Sequence, residues 1–223
     1  MSLTVLTKNY TPPPLCEREI LRYAGCRADN TNGDTKALLK NCLNEVKGKL
    51  CYRVCYIELE VKLERNVCDF GCFSVTSENL SNNLNGCKTA IIFAATVGVE
   101  IDRLIAKYGR IAPSKALMFQ AIGAERIEAV CDTFCEDIRL LKNRGQKPRF
   151  SPGYGDLPLD TQNKIFDLLT PQKRIGVTLN ESLLMSPSKS VTAIVGITEN
   201  DGIIIKNKCA FCDFKDCVYR GVL

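Results

Sequence analysis

The segment Ala90-Ile-Ile-Phe-Ala-Ala-Thr-Val97 has apolar residues at both even and odd positions and lies between Gly86 and Gly98. Successive side chains of a strand point to opposite faces, so this pattern predicts a strand that is buried on both faces. The apolar run from Ala90 to Val99 has about half of the roughly 20 residues that a membrane-spanning helix needs. We therefore place the segment in the interior of a folded domain and expect no membrane span.

The residues after this strand predict helices and one irregular loop. Residues 99–108 and 114–142 carry apolar side chains at three- and four-residue steps, and Pro113 stands near the start of the second helix, where proline is tolerated. Residues 148–158 contain three prolines and two glycines, which predicts an extended loop. A short helix is predicted over residues 160–169.

The residues before the strand predict a mixture of elements. An extended N-terminal arm ends in the prolines of residues 11–14, and a short helix is predicted over 16–23. Residues 35–50 have the apolar spacing of an amphipathic helix. Residues 55–63 alternate between apolar and charged side chains, which is typical of a strand with one wet face. We therefore expect the sheet to be exposed on one side, or this strand to lie at an edge.

The fold class follows from the order of these elements. Two β-rich runs, 190–198 and 203–207, flank a Glu-Asn-Asp-Gly turn and predict a hairpin. Strands and helices do not alternate strictly, so we predict an α+β fold, a single domain with a largely antiparallel central sheet flanked by helices. We divide the chain into an N-terminal arm with a short helix (1–34), the α+β domain (35–207) and a cysteine-rich C-terminal segment (208–223).

Composition excludes several classes of function. The 223 residues contain no histidine, which is the usual general base near neutral pH, so Ser-His-Asp hydrolysis, Cys-His proteolysis and HExxH zinc chemistry are ruled out. The net charge of +5 is mild and no run of five Lys or Arg occurs, so we expect no nucleic-acid partner. No basic segment followed by an apolar one opens the chain, which favours a soluble, cytoplasmic protein.

The 13 cysteines fall into two groups. Their number is odd and there is no secretory signal, so we expect reduced thiols rather than a disulfide framework. Three pairs of cysteines are spaced four residues apart. They are Cys51 and Cys55, Cys68 and Cys72, and Cys131 and Cys135. Free cysteine is among the most buried residue types, so we interpret these pairs as core residues.

The second group is the compact triad Cys209, Cys212 and Cys217, with the spacing C-x2-C-x4-C. The C-x2-C pair suits zinc or an iron–sulfur cluster, and a fourth ligand is available in Cys16, in Cys26 or on a partner. A redox or thiol role and simple packing of free thiols are the alternatives.

The loop Arg149-Phe-Ser-Pro-Gly-Tyr154 combines three chemical features. An arginine presents a planar cationic fork that matches a carboxylate, a glycine lets the backbone approach a ligand, and a tyrosine offers a phenol and an aromatic face. On composition alone, an ordinary surface loop is the alternative interpretation.

Six motifs stand out along the chain. They are Leu21-Arg-Tyr-Ala-Gly25, Ala94-Ala-Thr-Val-Gly98, Gly123-Ala-Glu-Arg-Ile-Glu-Ala-Val-Cys-Asp132, Arg149-x-x-x-Gly-Tyr154, Gly176-Val-Thr-Leu-Asn-Glu-Ser182 and Pro187-x-x-Ser190-Val191. Together they resemble the activation domain of cobalamin-dependent methionine synthase. The resemblance covers residues 90–200 well. That family binds S-adenosylmethionine through its Arg-x-x-x-Gly-Tyr loop.

The resemblance implies a role for each residue of the site. Arg149 would bind the methionine carboxylate of S-adenosylmethionine, and Gly153 would allow the backbone to approach the ligand closely. Ser151 would lend backbone polar groups in place of the small apolar residue of the long family members. Tyr154 would pack on the ligand or hydrogen-bond to it, and Glu128 would be the carboxylate near the ligand. No catalytic acid or base is implied.

The chain also departs from the long enzymes. It has no counterpart that we can place for an aspartate near the start of the domain, and Ile203 and Ile204 stand where adjacent tyrosines occur. Without histidine there is no Asp-x-His-x-x-Gly cobalamin motif, and there is no room for homocysteine or folate modules. The resemblance therefore implies a module of methionine biosynthesis that acts in trans and is not a complete methionine synthase.

The implied partners follow from the family's chemistry. Cobalamin would be carried by a separate cobalamin-binding methyltransferase subunit, whose cob(II)alamin is reactivated by reductive methylation. The electron would come from a donor such as flavodoxin or ferredoxin, or from an iron–sulfur cluster in this chain. Two other functions are open: a non-catalytic chaperone of a corrinoid protein, and a zinc or iron–sulfur module centred on Cys209, Cys212 and Cys217. Whether the chain is an enzyme by itself is also open.

Overall fold

A computed structural model of the protein describes residues 3–26 and 32–199. The predicted strand at 203–207 and the cysteine-rich segment at 208–223 lie outside the described residues. The helices are α1 (Glu17–Tyr23), α2 (Gly33–Val46), α3 (Glu78–Leu84), α4 (Glu100–Tyr108), α5 (Pro113–Lys142), α6 (Thr161–Leu169) and α7 (Pro171–Ile175). The strands are β1 (Leu6–Tyr10), β2 (Tyr52–Glu60), β3 (Lys62–Glu64), β4 (Val67–Asp69), β5 (Ser74–Thr76), β6 (Thr89–Thr96), β7 (Gly145–Gln146), β8 (Thr178–Leu179), β9 (Met185–Ser186) and β10 (Ser190–Thr198).

A five-stranded sheet forms the centre of the fold, in the order β1-β2-β6-β10-β7. Every neighbouring pair in it is antiparallel. Two small antiparallel sheets, β3-β4-β5 and β8-β9, lie apart from it. The predicted α+β fold with a largely antiparallel central sheet and flanking helices is therefore confirmed.

The central strand β6 is buried on both faces, as its sequence predicts. Its odd-numbered residues, such as Phe93, pack in a core with α1, α2, α4 and α5. Its even-numbered residues, such as Ile92, pack in a second core with α3, α6 and α7. Phe93 and Ile92 are both 0% exposed. Because each face has its own helical layer, the strand needs apolar side chains at both parities.

Strand β2 differs from its prediction. It lies between β1 and β6, and Val54 and Cys55, which point to opposite faces, are both 0% exposed. At its far end Glu58 and Glu60 are exposed and Leu59 between them is buried, so the predicted wet face is present there. The alternative, a position at the edge of the sheet, is wrong, because the N-terminal arm supplies the edge strand β1.

A buried ion pair on α5 holds the N-terminal arm. Arg126 donates to the backbone carbonyls of Pro13 and Pro14, both at 2.7 Å, and pairs with Glu125 at 2.5 Å. Glu125 in turn accepts the backbone N–H of Cys16 at 3.0 Å. The side chains of Arg126 and Glu125 are 4% and 5% exposed. This part of the 123–132 motif therefore fixes the chain between β1 and α1. The predicted boundary near residue 34 stays a prediction.

None of the helices in the described part of the chain combines the length and the apolar composition that crossing a membrane requires.

Candidate functional site

The loop that follows β7 is fastened to the edge of the central sheet. The N–H of Lys147 donates to the carbonyl of Gly196 at 2.9 Å. Phe150 and Ile194 exchange two backbone hydrogen bonds, of 2.9 and 2.8 Å. Phe150 is buried in the core of α3 and α6, while Arg149 contacts α5 across the sheet edge. Extended chain directs neighbouring side chains to opposite faces, so the docking of Phe150 aims Arg149 at α5.

The tip of the loop is a tight turn that requires glycine. Tyr154 donates its N–H to the carbonyl of Ser151 at 3.0 Å, and Gly153 donates to the carbonyl of Leu157 at 2.9 Å. Gly153 has φ +84°, and a Cβ there would lie 3.2 Å from the Leu159 side chain. The left-handed backbone and the close neighbour both favour glycine. Tyr154 is 63% exposed and its ring meets that of Phe150 edge to face, at 5.3 Å.

Asp156 connects the loop to the start of α3. Its carboxylate accepts hydrogen bonds from the Ser77 hydroxyl and from the backbone N–H groups of Glu78 and Asn79, the latter two at 2.7 and 3.2 Å. The Ser77 bond, followed by the bonds from Asn79 and Glu78, lowers the pKa of Asp156 to about 2. Sequence reasoning missed this residue, because its partners lie almost 80 positions away and leave no local pattern.

Arg149 is held by two carboxylates of α5. One terminal nitrogen donates to Glu128 at 2.6 Å and the other donates to Asp132. Glu128 and Asp132 are four residues apart, so they lie on the same face of the helix. The side chains of Arg149, Glu128 and Asp132 are 10%, 38% and 70% exposed. Glu128 and Arg149 were both predicted site residues, and the structure brings them into contact. Asp132, the second partner, had no predicted role.

The electrostatics of this cluster favour a permanent cation. Burial opposes the charge of Arg149, but Cys131, Asp132 and Glu128, in that order, outweigh it and raise the pKa of the guanidinium. Burial also raises the pKa of the Cys131 thiol, which is therefore neutral near pH 7. At neutral pH the two carboxylates supply the stabilisation. The cluster carries two negative charges around one positive charge and can attract a ligand cation as well as bind a carboxylate.

The predicted site residues thus form two neighbouring groups. Glu128 and Arg149 are in direct contact beside α5. Ser151, Gly153 and Tyr154 form the turn at the loop tip, in which the carbonyl of Ser151 is engaged by the Tyr154 N–H. The roles that the resemblance implies for these five residues stay predictions.

Three of the other motifs meet at the start of β10 and have a structural explanation. The hydroxyl of Ser190 bonds to that of Thr96 at 2.9 Å and donates to the carbonyl of Pro187 at 2.8 Å. A Cβ on Gly123 would lie 2.8 Å from the side chain of Lys189. Close packing between β6, α5 and the segment before β10 therefore accounts for these small and hydroxyl-bearing residues.

The cysteine predictions are confirmed in part. Cys55, Cys68 and Cys131 are buried, and burial raises the pKa of the Cys55 and Cys68 thiols to about 11. Cys51 and Cys72, their partners in spacing, are exposed, so the core interpretation is wrong for those two. Among the residues that the structure describes, no three His, Cys, Asp or Glu side chains are grouped so that they could hold a metal ion. The triad Cys209, Cys212 and Cys217 lies outside those residues.

Comparisons with known proteins agree on one family. Residues 80–201 match the family described as "Vitamin B12 dependent methionine synthase, activation domain". Methionine synthases of Mycobacterium tuberculosis and Mycobacterium leprae are 38% and 36% identical over 103 residues, which are 44% of this chain and 8% of each relative. The match therefore spans less than a tenth of the length of those enzymes.

A solved structure shares the fold. The crystal structure of the MetH reactivation domain bound to AdoHcy has a TM-score of 0.65 and 16% sequence identity, and the match covers 90% of this chain and 80% of that one. The likeness extends over the N-terminal elements as well as the segment that the family comparison matches.

Proposed function

The chain belongs to the family of the vitamin B12 dependent methionine synthase activation domain, and on that premise we propose that it binds S-adenosylmethionine for the reductive methylation of cob(II)alamin on a separate cobalamin-binding methyltransferase. The observation that carries the proposal is the cluster in which Arg149 lies between Glu128 and Asp132, beside the turn of Gly153 and Tyr154. The 223 residues contain no histidine and so no cobalamin ligand motif. These residues therefore offer no histidine ligand for cobalt, and in this proposal the corrinoid is carried by a partner.

The chemistry of the cluster fits the amino-acid end of S-adenosylmethionine. The guanidinium of Arg149 matches a carboxylate through parallel N–H bonds. Glu128 is an anion within reach of the same guanidinium, and an ammonium bound next to the carboxylate would be attracted to it. The exposed ring of Tyr154 offers an aromatic face of the kind that attracts a cation such as a sulfonium.

Positioning and electrostatics would be the contribution of this chain. S-adenosylmethionine supplies a methyl group that its sulfonium already activates, so the site needs no general base. The anchoring of Phe150 on β10 and of Asp156 on α3 would hold the binding residues in place. The electron for the reduction would come from a donor such as flavodoxin or ferredoxin.

Binding is tested by calorimetric titration of S-adenosylmethionine into wild type, Arg149→Ala and Arg149→Lys. We expect wild type to bind and both variants to lose affinity. Arg149→Ala removes the cation, and Arg149→Lys replaces the planar guanidinium with an ammonium, which cannot form the same two parallel bonds. Arg139→Ala is the matched control, since Arg139 lies on α5 and pairs with Glu136. Binding by wild type that Arg149→Ala leaves unchanged would reject the assigned pose, and no binding by wild type would reject the function.

Action on a partner is tested by the visible spectrum of a corrinoid methyltransferase that lacks this domain. With S-adenosylmethionine and a reductant, addition of the chain should accelerate the appearance of methylcobalamin, and Arg149→Ala should not. Equal rates with and without the chain would reject the role in reactivation.

A further inference from the structure

The two carboxylates that hold Arg149 differ in their access to water. The side chain of Asp132 is 70% exposed, whereas that of Glu128 is 38% exposed and that of Arg149 is 10% exposed. The exposed side of the cluster is therefore the side that Asp132 occupies. Any ligand that reaches the guanidinium from solvent meets Asp132 first.

Both terminal nitrogens of Arg149 already donate a hydrogen bond to a carboxylate of α5. One terminal nitrogen bonds to Asp132 and the other bonds to Glu128 at 2.6 Å. A ligand carboxylate that takes two parallel N–H bonds needs both nitrogens of one edge of the guanidinium. The guanidinium keeps N–H groups that these two bonds do not use, but Arg149 is only 10% exposed and Asp132 lies on its exposed side, so a carboxylate that arrives from solvent shares or replaces a partner there.

Asp132 is the easier of the two to replace. An exposed carboxylate regains water when it releases an arginine, so its ion pair contributes little free energy. The side chain of Glu128 is about half as exposed as that of Asp132, so water compensates Glu128 less when it releases the arginine. Exchange of Asp132 for a ligand carboxylate replaces one charge-assisted bond with another and keeps the charge around Arg149 constant.

We infer that Asp132 is an internal competitor of the ligand carboxylate for Arg149 and thereby sets the affinity and release rate of the site. This inference rests on the proposed function. Asp132 leaves the guanidinium when a carboxylate-bearing ligand binds and returns when that ligand departs. Only the molecules in which Asp132 has released the guanidinium are competent to bind, so the apparent Kd is the intrinsic Kd divided by the fraction of such molecules. The competition assists the departure of S-adenosylhomocysteine after the methyl group has been transferred.

The test compares two variants against two ligands by calorimetry. Asp132→Asn removes the competitor. Glu136→Gln is the matched control, because it removes one negative charge from the next turn of α5, where Glu136 pairs with Arg139 at 2.6 Å. S-adenosylhomocysteine carries the carboxylate, and 5′-methylthioadenosine has the same nucleoside and thioether without the amino-acid group.

We expect Asp132→Asn to bind S-adenosylhomocysteine about 3- to 10-fold more tightly than wild type, as removal of a competing state predicts, and to bind 5′-methylthioadenosine with unchanged affinity. Glu136→Gln should match wild type for both ligands. Unchanged or weaker binding of S-adenosylhomocysteine by Asp132→Asn overturns the inference and leaves the proposed function intact, as does equal tightening for both ligands. No binding of S-adenosylhomocysteine by wild type overturns the proposed function and the inference together.

Discussion

Two of the arginine–carboxylate clusters that involve helix α5 differ in their exposure to water. In the first, Arg126 and Glu125 are 4% and 5% exposed, and the remaining bonds of the pair go to backbone groups of the N-terminal arm. In the second, Arg149 is nearly as buried, but its partner Asp132 is 70% exposed. The first cluster is closed and holds the fold, whereas the second is open on one side and can exchange a partner.

Because of this difference, we expect the closed cluster to contribute mainly to stability and the open cluster mainly to ligand binding. A closed ion pair is expensive to break, because removal of one member leaves the other buried without a counterion. An open pair loses little stability when it is broken, since water replaces the missing partner. The same open side gives a ligand access to the guanidinium. Breaking the closed cluster should therefore lower the free energy of unfolding strongly, whereas breaking the open cluster should mainly lower the affinity for the ligand.

The largest effect is expected from breaking the closed cluster. Arg126→Met leaves Glu125 buried and removes the bonds to the carbonyls of Pro13 and Pro14, so we expect it to lower the free energy of unfolding by about 3 to 5 kcal/mol. Urea unfolding followed by circular dichroism measures the change. A loss below about 1 kcal/mol would contradict the view that this cluster holds the arm.

Breaking the open cluster should affect binding rather than stability. Arg149→Ala leaves Glu128 and Asp132 in contact with water, so we expect a loss of about 1 kcal/mol or less in the free energy of unfolding. Affinity for S-adenosylmethionine should fall by about 2 to 5 kcal/mol, the cost of removing one partner of a charged hydrogen-bonded pair. Unfolding and titration of the same preparation give both numbers. A variant that loses stability as strongly as Arg126→Met would contradict the distinction.

A smaller effect is expected in the turn that adjoins the open cluster. Gly153→Ala combines a φ of +84° with a Cβ at 3.2 Å from Leu159, so we expect it to lower the free energy of unfolding by about 1 to 3 kcal/mol. Gly33→Ala is the control, because a Cβ at this helical position has no atom within 4 Å. That change should be neutral or slightly stabilising. Equal effects at the two positions would show that the turn does not require glycine.

The smallest effect is expected from the loop carboxylate that is held by hydrogen-bond donors rather than by arginine. The pKa of Asp156 lies at about 2 in the folded protein, below about 3.9 for an aspartate in an unfolded chain. Its contribution to stability is therefore present above about pH 4 and is lost as the pH falls through about 2. The unfolding free energies of wild type and Asp156→Asn should converge over this range. A constant difference down to pH 2 would show that the ionised carboxylate does not anchor the loop.

Local patterns made much of the fold predictable. The apolar parity of β6 and the three- and four-residue spacing of α5 lie within single segments, and both elements are present as predicted. The pairing of β1 with β2 was not predictable in this way, because it joins residues about 50 positions apart. The alternation of apolar and charged residues in β2 was compatible with an edge position, although the strand lies inside the sheet.

The same limit applies to the candidate site. Arg149 and Glu128 were selected from a resemblance, and their contact follows from the docking of one loop against α5. The partnership of Asp132 with Arg149 depends on that docking, so no spacing within the helix reveals it. The bonds from Ser77 and Glu78 to Asp156 are likewise invisible in the sequence around any one of them.

The central claim is that Arg149 of the open cluster binds the carboxylate of S-adenosylmethionine. A coupling measurement tests it most directly: wild type and Arg149→Ala are each titrated with S-adenosylhomocysteine and with 5′-methylthioadenosine, which lacks the carboxylate. The account predicts that the substitution weakens binding of the first ligand by about 30-fold or more and leaves binding of the second unchanged. Equal losses for both ligands, or no loss for either, would contradict it.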